Sequence, residues 1–175
     1  SGEIPIEAAL NSLEIPGGVN YEDKFLFTKF LTYPLTFKQK EKKLSIHCVD
    51  SLHLNVRNAE VNAKLANVAA FLSFSRMEVE WLDTKFDEHS IDKIISSPPN
   101  VSKGFILKEA TKLFDEFFYQ SAYILNQKGT ITLLTRNPDL LTQAAQKHNF
   151  TLIKTVPFFY GKEPCSILIF TKKVI

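Results

Sequence analysis

A chain of 175 residues, 45% of them apolar and 15 of them Phe, can build one folded domain with a substantial core, which excludes disordered and fibrous classes. A net charge of +2 makes no case by itself for a nucleic-acid partner, and Lys38, Lys40, Lys42 and Lys43 read as a solvated patch. No apolar run approaches a bilayer span and the first residues do not pair a basic segment with an apolar one, so no membrane or targeting segment is expected and the cytoplasm is the expected compartment.

The opening Ser1-Gly2-Glu3-Ile4-Pro5-Ile6 starts a helix almost at the first residue: Pro5 suits an early helical position, and Ile6, Ala9, Leu10 and Leu13 follow near-helical spacing. Glu3 lies where a carboxylate suits the helix dipole, and Ile15-Pro16-Gly17-Gly18 ends the run. A second short helix is expected over 21–30, closed by Tyr33-Pro34, with the lysine-rich 38–43 as a surface connection. Residues 44–50 read as a strand ending on Asp50, followed by a helix over 52–68. An acid at a strand tip can accept hydrogen bonds from both hydroxyls of a ribose, or it can cap the following helix. Residues 77–83 repeat the pattern of a strand ending on an acid, and Asp83 suits either the exocyclic amine of a purine or a turn.

The strand 91–96 stops at Ser97-Pro98-Pro99-Asn100, because neither proline can donate to a ladder. Ligands of open α/β sheets sit outside the carboxyl ends of strands, so this stiff polar turn is the expected place for chemistry. A long amphipathic helix over 107–125 buries Phe114, Phe117, Phe118, Ala122 and Leu125. A strand over 129–135, a helix over 138–147 capped by Asn137, and two strands over 150–158 and 165–172 in a hairpin complete the chain. Cys48 and Cys165, far apart in apolar runs, read as buried free thiols in a reducing compartment, and the four scattered His give no metal spacing.

This order of elements resembles the S-adenosylmethionine-dependent methyltransferases with a seven-stranded Rossmann-like sheet. Ser-Gly-Glu-Ile-Pro-Ile-Glu-Ala-Ala is similar to the end of that family's first motif, and with the Pro-Pro turn it most resembles the catalytic domain of the THUMP-containing tRNA guanosine-N2 methyltransferases. The resemblance implies an α/β, doubly wound, mostly parallel sheet with an antiparallel C-terminal hairpin. The 175 residues would then be a single methyltransferase-like domain, a fragment without its first strand and its RNA-binding domain, the missing segment being supplied by an N-terminal domain or a partner chain. It implies S-adenosylmethionine as cofactor, RNA and specifically tRNA as partner, no metal and no membrane. Cofactor contacts would come from Gly2, Glu3, Asp50, Ser51, Leu52, Leu82 and Asp83, with Asp50 on the ribose and Asp83 on the adenine amine.

Ser97, Pro98, Pro99 and Asn100 take the place of the catalytic turn. An exocyclic amine conjugated to a purine is a poor nucleophile, so acceptors must hold its hydrogens while its lone pair faces the methyl group; the first side chain and the Pro98 carbonyl are the implied acceptors. Ser97 stands where the family has Asn or Asp, and Asn100 where it has an aromatic ring. A non-catalytic binding module of the same fold, or methylation of adenine N6 or of a protein glutamine amide, are the alternatives.

Overall fold

The computed structural model describes residues 2–15, 44–102, 104 and 106–173. The expected helix over 21–30, its Tyr33-Pro34 closure, the helix stop at 16–18 and the lysine connection 38–43 lie outside them. The described residues form two compact units, Ser1–Met77 and Glu78–Ile175.

In the first unit, helix α1 (Glu3–Ser12) precedes strand β1 (Ile46–Asp50), helix α2 (His53–Leu65) and strand β2 (Leu72–Arg76). β1 and β2 pair in parallel from Ile46↔Leu72 to Asp50↔Arg76, with α2 as the crossover a parallel pair requires. Ile6 and Ala9 of α1, with Leu13 just after it, bury against Ala63 and Val68, and the small Ala side chains let the elements approach closely.

One expected strand is displaced. Residues 77–83 are not a strand: β2 precedes them, and Val79–Thr84 is a 3₁₀ turn. Leu72 and Phe74 pack against the core of the first unit, whereas Trp81 is 59% exposed, so the alternation of Val79 and Trp81 that suggests a strand faces no buried partner.

The second unit holds strand β3 (Ile91–Ser96), helix α3 (Leu107–Ile124), strand β4 (Leu125–Thr135), helix α4 (Pro138–Lys147), and strands β5 (Phe150–Tyr160) and β6 (Glu163–Lys172). Its sheet has the order β3-β4-β6-β5: β3 and β4 are parallel, and β6 runs antiparallel to both β4 and β5. The parallel ladders and the antiparallel C-terminal hairpin agree with the expected α/β class. Among the described residues the strands bond as two sheets, β1-β2 in the first unit and β3-β4-β6-β5 in the second.

Alternation along β4 and β6 sends Ile131, Leu133, Leu168 and Phe170 to one face, where they meet Ala110, Phe114 and Phe118 of α3 and Leu141, Ala144 and Ala145 of α4. Phe118 is fully buried, its ring 5.4 Å from that of Phe170 and 5.5 Å from that of Phe150, and truncation there would cost about 3–5 kcal/mol. β4 begins at Leu125 rather than at Gly129, directly from the last residue of α3; after Ile91↔Leu125 the register resumes at Lys93↔Thr130. The hairpin turn is the two-residue Gly161-Lys162, and φ of +64° at Gly161 is what the first central position of a type II′ turn requires. Cys165 is buried, Cys48 half-buried, and both are free thiols; burial raises the Cys48 pKa.

Candidate active site

At the start of the first unit, Gly2 precedes α1 with φ 83° and ψ 12°, in the left-handed region. A Cβ there would lie 2.7 Å from the Ala59 Cβ and 2.8 Å from its Cα, so this approach of backbone to α2 admits only glycine. Glu3 is exposed in the first turn of α1, on the positive end of the helix dipole.

Asp50 closes β1. Its Oδ1 accepts the Leu52 N–H at 2.9 Å, and both carboxylate oxygens accept from Asn55 Nδ2 at 3.1 Å. The helix cap is Leu52, extended at φ −93° and without a side-chain bond, so Asp50 does not cap α2. Its carboxylate is instead aimed by the first turn of α2, and an ionised carboxylate with about four lone-pair sites keeps acceptor capacity beyond these bonds. The Ser51 carbonyl accepts from Arg76 Nε at 3.1 Å, which ties the tip of β1 to that of β2, and the Leu52 side chain is 61% exposed.

In the second unit, Leu82 and Asp83 belong to the 3₁₀ turn, the former half-buried and the latter exposed. The Asp83 N–H donates to Gln120 Oε1 of α3 at 3.2 Å, and Gln120 Nε2 donates to the Glu80 carbonyl at 3.0 Å. Phe86, buried, gives its N–H to the Leu82 carbonyl at 3.0 Å.

The turn after β3 is braced from the next strand. Asn100 Oδ1 accepts the Arg136 N–H at 2.9 Å, and Asn137 Oδ1 accepts the Val101 N–H at 3.0 Å. Asn137 occupies the cap position of α4 but makes no side-chain cap bond; its own N–H goes to Thr135 Oγ1 at 2.9 Å. The expected cap is therefore a brace of the turn 97–101. No described residue engages the Ser97 hydroxyl, which is exposed with Pro99, while Pro98 is half-buried.

Register places another feature at this end of the sheet. Ser96 pairs with Leu133 and Thr135 with Ser166, so the tip of the β5–β6 hairpin projects past the end of β4 on the side where the Ser97 turn emerges. Two strand spacings, roughly 10 Å, separate β3 from β6. The tip carries Phe159 and Tyr160, 74% and 71% exposed, beside Lys162. Strands expected over 150–158 and 165–172 leave these rings in the connection, and only the register shows that the connection lies at the end of the sheet where the Ser97 turn emerges. Sequence reasoning missed Gln120, although an amide on the apolar face of α3 is itself a signal, since burial of such a group demands partners.

Among the described residues, no group of three His, Cys, Asp or Glu side chains stands together as metal ligands, and no helix is long and apolar enough to cross a membrane.

The profile of the RMKL-like methyltransferase domain matches residues 1–166. The chain belongs to that family. This RMKL-like domain is 30% identical over 169 residues to the tRNA (guanine(6)-N2)-methyltransferase of Methanocaldococcus jannaschii, a match covering 92% of the chain and 44% of the relative. It is 25% identical over 147 residues to the enzyme of the same description from Archaeoglobus fulgidus, covering 84% of the chain and 35% of the relative. The chain thus spans less than half the length of these relatives. The structure of SMU.472 in complex with SAH superposes with a TM-score of 0.75 at 17% identity, over 98% of this chain and 45% of that one, which establishes the methyltransferase fold.

The cofactor of such methyltransferases is S-adenosylmethionine. Within the first unit the residues are of a kind that suits it: backbone at Gly2 in a conformation and a contact that exclude a side chain, and a carboxylate at Asp50 fixed by α2 with acceptor capacity left.

Proposed function

We propose that this domain is an S-adenosylmethionine-dependent N-methyltransferase of RNA, acting on guanosine N2 of tRNA in the cytoplasm. The observation that carries the reading is the Ser97-Pro98-Pro99-Asn100 turn at the carboxyl end of β3, its backbone held from the β4–α4 junction by Asn100 and Asn137. The roles follow from the chemistry. The Ser97 hydroxyl and the Pro98 carbonyl accept the two hydrogens of the target amine and so aim its lone pair, while the prolines keep both acceptors from moving. Orientation supplies most of the rate gain: well-placed partners are worth roughly 7–11 kcal/mol of barrier. When bound, the cofactor supplies a methyl carbon on a sulfonium, already electrophilic, so the domain need only place the amine in line with it.

Asp50 accepts from the ribose hydroxyls, and Asp83 accepts from the adenine amine, with Ser51, Leu52 and Leu82 as neighbouring contacts. Gly2 gives the methionine portion a backbone free of side chain, and Glu3 lies next to it. Phe159 and Tyr160 supply the stacking surface that Asn100, engaged with Arg136, does not offer; the 30% identity to a tRNA guanine-N2 methyltransferase supports a base as substrate. A second reading, methylation of a protein glutamine amide, is favoured by that same engaged Asn100, since a small planar amide needs no ring at this position.

The test is transfer of labelled methyl from S-adenosylmethionine to unmodified tRNA, with nucleosides resolved by mass spectrometry. N2-methylguanosine, with turnover greatly reduced in Ser97→Ala while cofactor affinity is kept, is the expected result. Label in a glutamine-bearing protein but not in tRNA would establish the second reading. No label in either, from a folded chain that binds the cofactor, would make this a binding module without chemistry.

A further inference from the structure

Gln120 of α3 reaches the 3₁₀ turn with bonds at both ends of its amide. It is 4% exposed, on a helix whose buried face is otherwise occupied by Ala110, Phe114, Phe118 and Ile124 together with Ser121. Its Oε1 accepts the Asp83 N–H at 3.2 Å; its Nε2 donates to the Glu80 carbonyl at 3.0 Å and to Glu116 Oε1 at 3.1 Å. A backbone N–H can only donate and a carbonyl can only accept, so these partners fix which way the amide faces.

Packing alone would be served at this position by leucine, which has similar volume and needs no partners. On the turn it grips, Trp81 and Asp83 are exposed, Val79 and Leu82 are half-buried, Phe86 just after it is buried, and Lys112 reaches Glu80 at 3.9 Å, so the polar grip of Gln120 adds to an apolar contact that does not by itself set the direction of the Asp83 carboxylate. Fixing the Asp83 N–H and the Glu80 carbonyl fixes both ends of the short segment that carries the Asp83 carboxylate. The same helix begins at Leu107, seven residues after Asn100, so α3 links this segment to the turn at the end of β3.

We infer that Gln120 is a positioning residue for cofactor selectivity: by holding the 80–83 turn it places the Asp83 carboxylate to accept from the 6-amino group of the adenine and thereby rejects purines that carry a 6-oxo group. The inference rests on the reading of Asp83 given above. A buried amide whose every polar group is met costs little, and removing it leaves the Asp83 N–H and the Glu80 carbonyl without a partner and the carboxylate free to swing.

The experiment compares the affinities of S-adenosylhomocysteine and S-inosylhomocysteine by calorimetry on the intact chain, with circular dichroism confirming the fold of each variant. The wild type should prefer the adenosyl ligand by about tenfold or more, the size expected for a carboxylate that accepts from an amine and repels a carbonyl. Asp83→Ala should abolish that preference; if it does not, or if the wild type shows none, the reading of Asp83 fails. Gln120→Leu should weaken the adenosyl ligand by about tenfold and leave the inosyl ligand nearly unchanged, so that the ratio falls toward that of Asp83→Ala. A residue needed only for folding would weaken both ligands alike. A folded Gln120→Leu with the wild-type ratio, alongside a collapsed ratio in Asp83→Ala, would overturn the inference while leaving the reading of Asp83 intact. Gln120→Glu keeps the size and loses the donor, and it is read in the same way; failure of both Gln120 variants to fold would assign the residue to the core and overturn the inference as well.

Discussion

Asn100 and Asn137 act on each other's turns: the Asn100 side-chain oxygen takes the N–H of Arg136 at 2.9 Å, and the Asn137 side-chain oxygen takes the N–H of Val101 at 3.0 Å. The ends of β3 and β4 are stapled in both directions, at the carboxyl ends of the strands where an α/β fold places its ligands. Asn100→Ala and Asn137→Ala should each lower stability by about 1 kcal/mol and reduce methyl transfer by about tenfold or more while leaving cofactor affinity close to wild type. Urea denaturation and steady-state kinetics on tRNA measure the two effects; loss of affinity without loss of turnover would contradict the assigned role.

Gly2→Ala combines a left-handed backbone with a Cβ 2.7 Å from that of Ala59. The expected cost is about 1–3 kcal/mol, seen as a lower midpoint in thermal unfolding, together with weaker binding of S-adenosylhomocysteine. A variant as stable as the wild type would mean that α1 does not press on α2 as described.

Phe159→Ala and Tyr160→Ala should each weaken tRNA binding by about fivefold or more, from the loss of roughly 1–3 kcal/mol of stacking, without altering cofactor affinity. Filter binding and calorimetry separate the two. Equal tRNA affinity in the double variant would remove the hairpin tip from substrate recognition.

Acid should loosen the α3–α4 contact. The hydrogen bond from His148, at 3.1 Å, is the main cause that lowers the pKa of Asp115, with Lys147 at 3.6 Å adding to it. A carboxylate whose folded pKa is depressed contributes stability above its unfolded value near 3.9, and that contribution is lost as pH falls through the lower folded value. The Asp115 side chain is about half exposed to solvent, which screens the interaction, so the effect is small. The difference in melting temperature between wild type and Asp115→Asn should shrink as the pH is taken from 6 to 3; a constant difference would contradict the pairing.

Many of the element boundaries were legible in the sequence because the residues that mark them have strong local physics. Gly2 before a proline-started helix, Asp50 at the end of an apolar strand and two prolines after Ile94-Ile95 each announce a boundary, and the strands and helices of the second unit fall close to where their periodicity puts them. What was not legible depends on contacts distant in sequence. The alternation at 77–83 mimics a strand but finds no buried face, so β2 forms instead from Leu72 to Arg76. Asn137 looks like a helix cap and bonds to Val101, 36 residues earlier, and Gln120 meets its partners 37 and 40 residues away.

The most direct test of the account is calorimetric titration of S-adenosylhomocysteine into the folded wild-type chain and into Asp50→Ala. The account predicts micromolar binding by the wild type, weakened about tenfold or more when the carboxylate held by Leu52 and Asn55 is removed. Equal affinity in the two proteins, or no binding by a folded wild type, would contradict it.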